Sequence, residues 1–239
     1  MRTITFTSFL FCWLIGCQQP NKSNEKSQKN VCADSLFNLG FKYLYEDTDT
    51  PQFDSAKYYL EQAALQNNNL ALRVLGSEYL SGSRLDRDVQ KGLSYLEKAI
   101  ALGDSLAYYS LAEYYYPNDI QKATEMLKKG MIRGDKYSTY ELYMLYYNGY
   151  AFGRSEHKNE KIVNEKVGLE YLFKAEEMGS FDAQLSLVYL YINGKNGILY
   201  ADKNKAIFYL KKAENNPELK EIPAATDELE MAKKSLNLE

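Results

Sequence analysis

Small and apolar residues recur along this chain at helical spacing, in two patterns that alternate. In the first, a small residue is followed four residues on by leucine and eight on by tyrosine. Five copies carry it: Ser35, Leu39 and Tyr43; Ala71, Leu75 and Tyr79; Ala107, Leu111 and Tyr115; Ser138, Leu142 and Tyr146; Ala183, Leu187 and Tyr191. In the second, Ala56, Gly92, Ala123, Gly168 and Ala206 each precede a large pair. Those pairs are Tyr59 and Leu60, Tyr95 and Leu96, Met126 and Leu127, Tyr171 and Leu172, and Tyr209 and Leu210. A further small residue closes each copy: Ala63, Ala99, Gly130, Ala175 and Ala213. Spacings of three, four and seven place these positions on one helical face. The small residues let two helices approach, and the large ones fill the space beside them. The predicted unit is helix A, loop, helix B, turn.

Capping residues agree with this division. Asp88, Asp119, Asn164 and Asp202 stand before the B helices, and Asn68, Asp104, Asp135 and Ser180 before the A helices. Their side chains can accept the open N–H groups of a first turn. Gly103, Gly134 and Gly179 follow the B helices, with Asn67 in that place in the first copy, where a left-handed residue ends a helix most easily. Pro217 ends the array. The copies differ in the A–B loop, which is short at Pro117 and Asn118 in the third and long, over 149–163, in the fourth. That long loop is read as floppy.

The run Ala71, Leu75, Gly76, Tyr79, Gly82, Asp88, Lys91, Gly92, Tyr95, Leu96, Lys98, Ala99 and Gly103 resembles the Sel-one-like repeat, a relative of the tetratricopeptide repeat. The resemblance covers 33–216. Glu46 and Asn118 stand where Gly82, Gly149 and Gly194 stand in the other copies. It implies an all-α, right-handed α-solenoid of about five helix-turn-helix repeats. It also implies a binding module whose A helices line a concave wall. The positions two, six and nine residues after the small residue of helix A then give the candidate partner-binding residues. They are Phe37, Phe41, Arg73, Tyr109, Glu113, Tyr116, Tyr140, Met144, Tyr147 and Tyr189. Tyrosine offers a wide contact surface with a polar tip, and clusters of it mark interfaces.

The ends add a compartment. Residues 1–16 read as a signal segment, with Arg2 ahead of a largely apolar stretch too short to span a bilayer as a mature helix. Its end, Leu14, Ile15, Gly16 and Cys17, resembles the bacterial lipobox. That resemblance implies cleavage before Cys17 and a lipid on its sulfur. Gln18 in place of an aspartate after the cysteine implies the outer membrane, and the lack of an acidic run after Cys17 implies the periplasmic face. Residues 17–32 read as the lipidated cysteine and a flexible polar tether. After processing only Cys17 and Cys32 remain, so no internal disulfide is expected. At the other end, 217–239 read as a linker and a capping helix, with Thr226 as its cap and Leu229, Ala232 and Leu236 on one face. A solenoid needs such a cover.

Composition narrows the chemistry. A net charge of −3 and no basic stripe argue against nucleic acid as a partner. With one histidine, His157, the chain cannot assemble an ordinary zinc site, and no nucleophile elbow, phosphate loop or dinucleotide fingerprint is present. No catalytic residues, metal or cofactor are expected. The reading is a membrane-anchored scaffold that binds another envelope protein or peptide. The alternatives are an immunity protein against a secreted toxin and, behind it, an enzyme acting on the cell wall.

Overall fold

A computed structural model describes residues 25–45, 52–195, 197–220 and 225–238. Among them the chain is all-α, with eleven α-helices. The expected A and B helices alternate. They are α1 (Glu25–Tyr45) and α2 (Phe53–Leu65), α3 (Asn69–Ser81) and α4 (Val89–Ala101), α5 (Leu106–Tyr115) and α6 (Ile120–Ile132), α7 (Lys136–Asn148) and α8 (Glu165–Glu177), and α9 (Phe181–Asn193) and α10 (Lys203–Glu214). A last helix, α11 (Ala225–Ser235), follows. The chain divides into two compact units, Met1–Tyr114 and Tyr115–Glu239.

The helices begin where the sequence places their caps. Asn68, Asp88, Asp119, Asp135, Asn164, Ser180 and Asp202 each accept a first-turn N–H through the side chain. Asp104 accepts from Leu106 N–H at 3.0 Å. Asn67, Gly103, Gly134 and Gly179 all take positive φ, as the stop signals require.

Packing follows the two ladders. In the first unit α1 lies against α2 and α3 against α4; in the second, α7 lies against α8 and α9 against α10. Ala56, Leu60, Ala71, Leu75, Leu96 and Ala99 are fully buried, as are Ala123, Leu127, Leu142, Leu172, Ala183, Leu187 and Ala206. The small residues are small of necessity. A methyl group on Gly92 would stand 2.9 Å from the Gly76 carbonyl oxygen, and one on Gly168 would stand 2.8 Å from the Tyr147 backbone nitrogen.

Among the described residues, four A–B loops close on the same bond. The N–H of the B-helix cap donates to the carbonyl of the register tyrosine: Asp88 to Tyr79 (2.9 Å), Asp119 to Tyr115 (2.8 Å), Asn164 to Tyr146 (2.7 Å) and Asp202 to Tyr191 (2.8 Å). Loop length varies between these fixed ends.

Several expectations are corrected. Helix α1 starts at Glu25, so residues 25–32, read as tether, are helical. Glu, Lys and Gln are good helix formers, so their content suits a helix as well as a coil. Cys32 is disulfide-bonded, against the expectation that no bridge forms. The signal segment 1–16, Cys17 and the tether up to residue 24 lie outside the described residues. So does Glu46.

The loop 149–163 is folded. It forms two short 3-10 turns, Ser155–His157 and Glu160–Ile162. Ala151 is fully buried, Arg154 Nη1 donates to the Tyr116 carbonyl at 2.9 Å, and Asn159 N–H closes on the Gly149 carbonyl at 2.8 Å. Its apolar residues Ala151, Phe152 and Ile162 pack around Tyr116, Ala123 and Leu145 in a satellite core.

The C-terminal segment is also more than a linker. Pro217–Lys220 forms a 3-10 turn that buries Glu218. The Glu218 carboxylate accepts the Phe181 N–H at the start of α9 (2.9 Å), the Lys136 ammonium (3.0 Å) and the Tyr137 hydroxyl. Burial pushes this carboxyl up, but the bonds from Tyr137, Phe181 and Lys136 outweigh it and hold the group below its ordinary range. Helix α11 then buries Ala225, Leu229, Ala232 and Leu236, as a cover should, and packs on α9 and α10. Thr226 lies inside its first turn and is not its cap, since the helix begins at Ala225.

Candidate protein-interaction surfaces

The register tyrosines are consumed inside the repeats. Tyr43 stacks on Tyr59 at 5.7 Å, Tyr79 on Tyr95 at 6.0 Å, and Tyr191 on Tyr209 at 5.6 Å, with Tyr146 tilted on Tyr171 at 5.5 Å. Each pair joins helix A to helix B. The lysine just before the small residue of helix B adds a cation over the ring: Lys91 on Tyr79 (4.4 Å), Lys122 on Tyr115 (4.0 Å) and Lys205 on Tyr191 (5.2 Å). In the second repeat Lys91 also bonds Glu61 (2.7 Å) and the Tyr79 hydroxyl (2.8 Å). Burial pushes the Glu61 carboxyl up, yet the Lys91 bond and one donated by the Tyr79 hydroxyl (2.9 Å) win and keep it low.

The first unit presents an aromatic column on α1. Phe37 and Phe41 lie 5.5 Å apart, and Phe41 and Tyr45 lie 4.4 Å apart. Phe41 is 42% exposed and Tyr45 is 41% exposed, while Phe37 is half-buried. Glu78 of α3 anchors the column. Its Oε1 accepts the Tyr45 hydroxyl and Arg84 Nη1, both at 3.0 Å, and the Arg84 guanidinium sits 4.4 Å from the Tyr45 ring centre. Burial and then the Glu78 charge push the Tyr45 hydroxyl up to about 12. Arg73 is half-buried and pairs with Asp104 at 3.1 Å. Tyr109 is half-buried and Glu113 is exposed. Tyr45 was missed in the sequence because it falls outside the three chosen register positions; its spacing of four from Phe41 on one helix was the available signal.

The second unit carries a denser cluster with less of it in solvent. Tyr140, Tyr143 and Tyr147 form a row with ring centres 5.5 and 5.2 Å apart. The Tyr140 hydroxyl bonds Ser186 at 2.9 Å, and burial raises the pKa of both Tyr140 and Tyr143. Lys195, paired with Glu165 at 2.9 Å, lies 5.4 Å over Tyr147. Met144 is half-buried beside the core and accepts the Asn148 amide at 3.3 Å. Tyr189 is half-buried, and its hydroxyl reaches the Glu228 carbonyl of α11 at 3.4 Å.

Tyr116 is corrected outright as a partner contact. It is 1% exposed, held beneath the 149–163 loop, with its hydroxyl toward the His157 carbonyl at 3.4 Å. The short third loop turns the chain at a cis Tyr116–Pro117 bond, and the long fourth loop covers the ring.

No group of three or more metal-ligating side chains occurs among the described residues. No described helix is long and apolar enough to cross a membrane. His157 is exposed and lies 3.6 Å from Glu156.

The family profile described as "Sel1 repeat" matches residues 33–68, 69–104 and 182–216. No curated protein sequence matches the chain. Solved structures do. A Sel1 repeat protein from Oxalobacter formigenes aligns over 85% of this chain and 88% of its own, with 21% identity and a TM-score of 0.57. Immunity protein Pa5087 from Pseudomonas aeruginosa aligns over 86% and 80%, with 18% identity and a TM-score of 0.53. Immunity protein PA5088 from the same organism aligns over 87% and 82%, with 18% identity and a TM-score of 0.51. At such identities the likeness speaks for the fold. With capped helix pairs, small-residue contacts and three matched repeats, the chain carries Sel1 repeats in an all-α solenoid fold.

Proposed function

We propose that this chain is a membrane-anchored adaptor of the bacterial cell envelope, which holds another envelope protein or peptide on the faces of its A helices. Sel1 repeats mediate protein–protein interaction. The observation that carries the reading to particular residues is the exposed aromatic column of α1, Phe41 and Tyr45, fixed in place by Glu78 and Arg84. Rigid aromatic rings with restrained polar tips are what interface hot spots use. Met144 and Tyr189 stand at the Phe41 register position in the second unit, and the adaptor acts without catalysis. The test is capture from envelope extracts of the host, comparing the chain with its Phe41→Ser, Tyr45→Ser double variant. One protein retained by the first and lost from the second, with both equally helical, supports the reading. Equal retention by both removes this face from it.

In this reading the anchor is Cys17, whose lipid-bearing sulfur takes no part in a bridge to Cys32, with the chain on the outer membrane facing the periplasm. The reading rests on the Leu14, Ile15, Gly16 and Cys17 motif. Mass analysis of the N-terminal peptide from the membrane fraction tests it. An acylated Cys17 supports the anchor; a bare thiol, or a Cys17–Cys32 disulfide, counts against it.

A second reading is an immunity protein, favoured by two solved structures of like fold that carry that description. Coexpression separates the two: rescue from a secreted toxin encoded beside this chain makes the partner a toxin, whereas capture of a resident envelope protein without rescue leaves the adaptor.

A further inference from the structure

The second unit holds a cavity of about 520 Å³ lined by Ile120, Gln121, Thr124, Glu125, Lys128, Tyr146 and Ile162. Its volume lies within the range of small-ligand sites, roughly 300–1,000 Å³. The apolar part of the lining is two isoleucines and the ring of Tyr146, which is braced by Tyr171 at 5.5 Å. The lining holds one carboxylate and one ammonium. Glu125 is exposed and pairs with Lys129, outside the lining, at 2.7 Å. Lys128 is half-buried, sits 5.8 Å from the Tyr146 ring centre, and meets no carboxylate among the described residues. The Thr124 hydroxyl donates to the Ile120 carbonyl at 2.7 Å, which leaves its oxygen able to accept, and Gln121 supplies an exposed carboxamide.

We propose that this cavity binds the C-terminal residue of a peptide or protein chain, with an apolar side chain against Ile120, Tyr146 and Ile162 and the terminal carboxylate on Lys128. The argument is complementarity. An apolar slot with a single uncompensated ammonium at its edge matches an apolar group and a carboxylate a few bonds apart. An internal peptide segment offers such a pair only where an Asp or Glu neighbours the apolar residue, because its backbone carries no charge. Gln121 and Thr124 match the amide of the same residue. The 149–163 loop supplies Ile162, and its folding around Tyr116 builds one wall of the site. The site is separate from the Phe41 and Tyr45 column, so the failure of either assignment leaves the other standing.

The probe is N-acetyl-Ala-Ala-Leu with a free carboxylate, titrated into the isotope-labelled full chain and read by amide chemical shifts. Shifts are expected at Gln121, Thr124, Tyr146 and Ile162. The carboxamide of the same peptide should bind at least about tenfold more weakly, the loss of one charge-assisted bond. Lys128→Gln should bring the acid down to the level of the carboxamide while leaving the rest of the spectrum in place. A third peptide, N-acetyl-Ala-Leu-Asp amide, carries its carboxylate on a side chain. Equal binding of this third peptide overturns the chain-end assignment. Equal binding of acid and carboxamide, shifts elsewhere, or no shifts up to about 10 mM overturn the site.

Discussion

The second and fourth repeats solve the same connection at two lengths. In both, a glycine in the left-handed region ends helix A: Gly82 at φ 70° and Gly149 at φ 85°. In both, the cap of helix B donates its backbone N–H to the register tyrosine, Tyr79 or Tyr146. Between those ends the second repeat spends few residues, burying Leu85 and tying Arg87 Nε to the Leu80 carbonyl at 3.2 Å. The fourth builds two 3-10 turns, buries Ala151, packs Phe152 and Ile162 beside Tyr116, and walls a cavity. Lengthening a loop whose ends are fixed costs little, about 0.6 kcal/mol per doubling. The repeat thus clamps its ends and leaves the interior free to acquire its own core. Variation in a Sel1 array of this kind belongs in that interior.

The largest expected effect breaks the long loop's core. Tyr116→Ala should cost about 3–5 kcal/mol, since a large ring leaves a sealed site, and urea denaturation measures it. A loss under about 1 kcal/mol would mean that the loop folds without the ring beneath it. Next comes the close helix contact of the second repeat. Gly92→Ala gains about 1 kcal/mol of helix propensity, but the added methyl meets the Gly76 carbonyl at 2.9 Å and the Leu80 side chain at 2.8 Å. Overpacking of about 1–3 kcal/mol should win, so a variant more stable than the parent would contradict the contact.

Smaller and sharper is a test of the clamps. Asp88→Ala and Asn164→Ala should each cost about 1 kcal/mol, equal within error, because both caps make the same bonds although their loops differ in length. A cap worth much more in the long loop would show that its interior, not its ends, holds the connection.

The smallest effect is one of sign. Glu218 is held below its ordinary value, 4.5, by Tyr137, Phe181 and Lys136 against the pull of burial. Its contribution to stability is complete above that value and is lost as pH falls through the lower folded-state pKa. Asp182 runs the other way: burial, then the charges of Glu218 and Glu228, raise it above 3.8. Its ionised form therefore weakens the fold at neutral pH. Glu218→Gln should lower stability at pH 7 and Asp182→Asn should raise it, with both differences fading near about pH 3. Denaturation at the two pH values reads the signs.

Much of this fold was legible because its rules are local. Caps, left-handed stops and small-residue contacts depend on neighbours within one or two turns, and Asn68, Asp135, Ser180 and Gly103 stand where the pattern puts them. The candidate surface was legible only in part, because exposure depends on distant chain. Tyr146 and Tyr147 are adjacent, yet the first packs tilted on Tyr171 and the second faces Lys195. Tyr116 occupies the same register as Tyr147 but is buried by a loop some 40 residues later. Glu218 looked like linker because its partners, Lys136, Tyr137 and Phe181, lie on two other helices. Periodicity names the face of a helix; it does not say what later chain covers that face.

The most direct measurement is the affinity comparison behind the adaptor reading. The protein captured from host envelope extracts is titrated against the chain and against its Phe41→Ser, Tyr45→Ser double variant, with helicity and melting checked for both. The account predicts at least about a hundredfold loss of affinity, the size of two hot-spot truncations, with unchanged fold. Equal affinity in two equally folded chains would contradict the claim that the α1 aromatic column is where the partner is held.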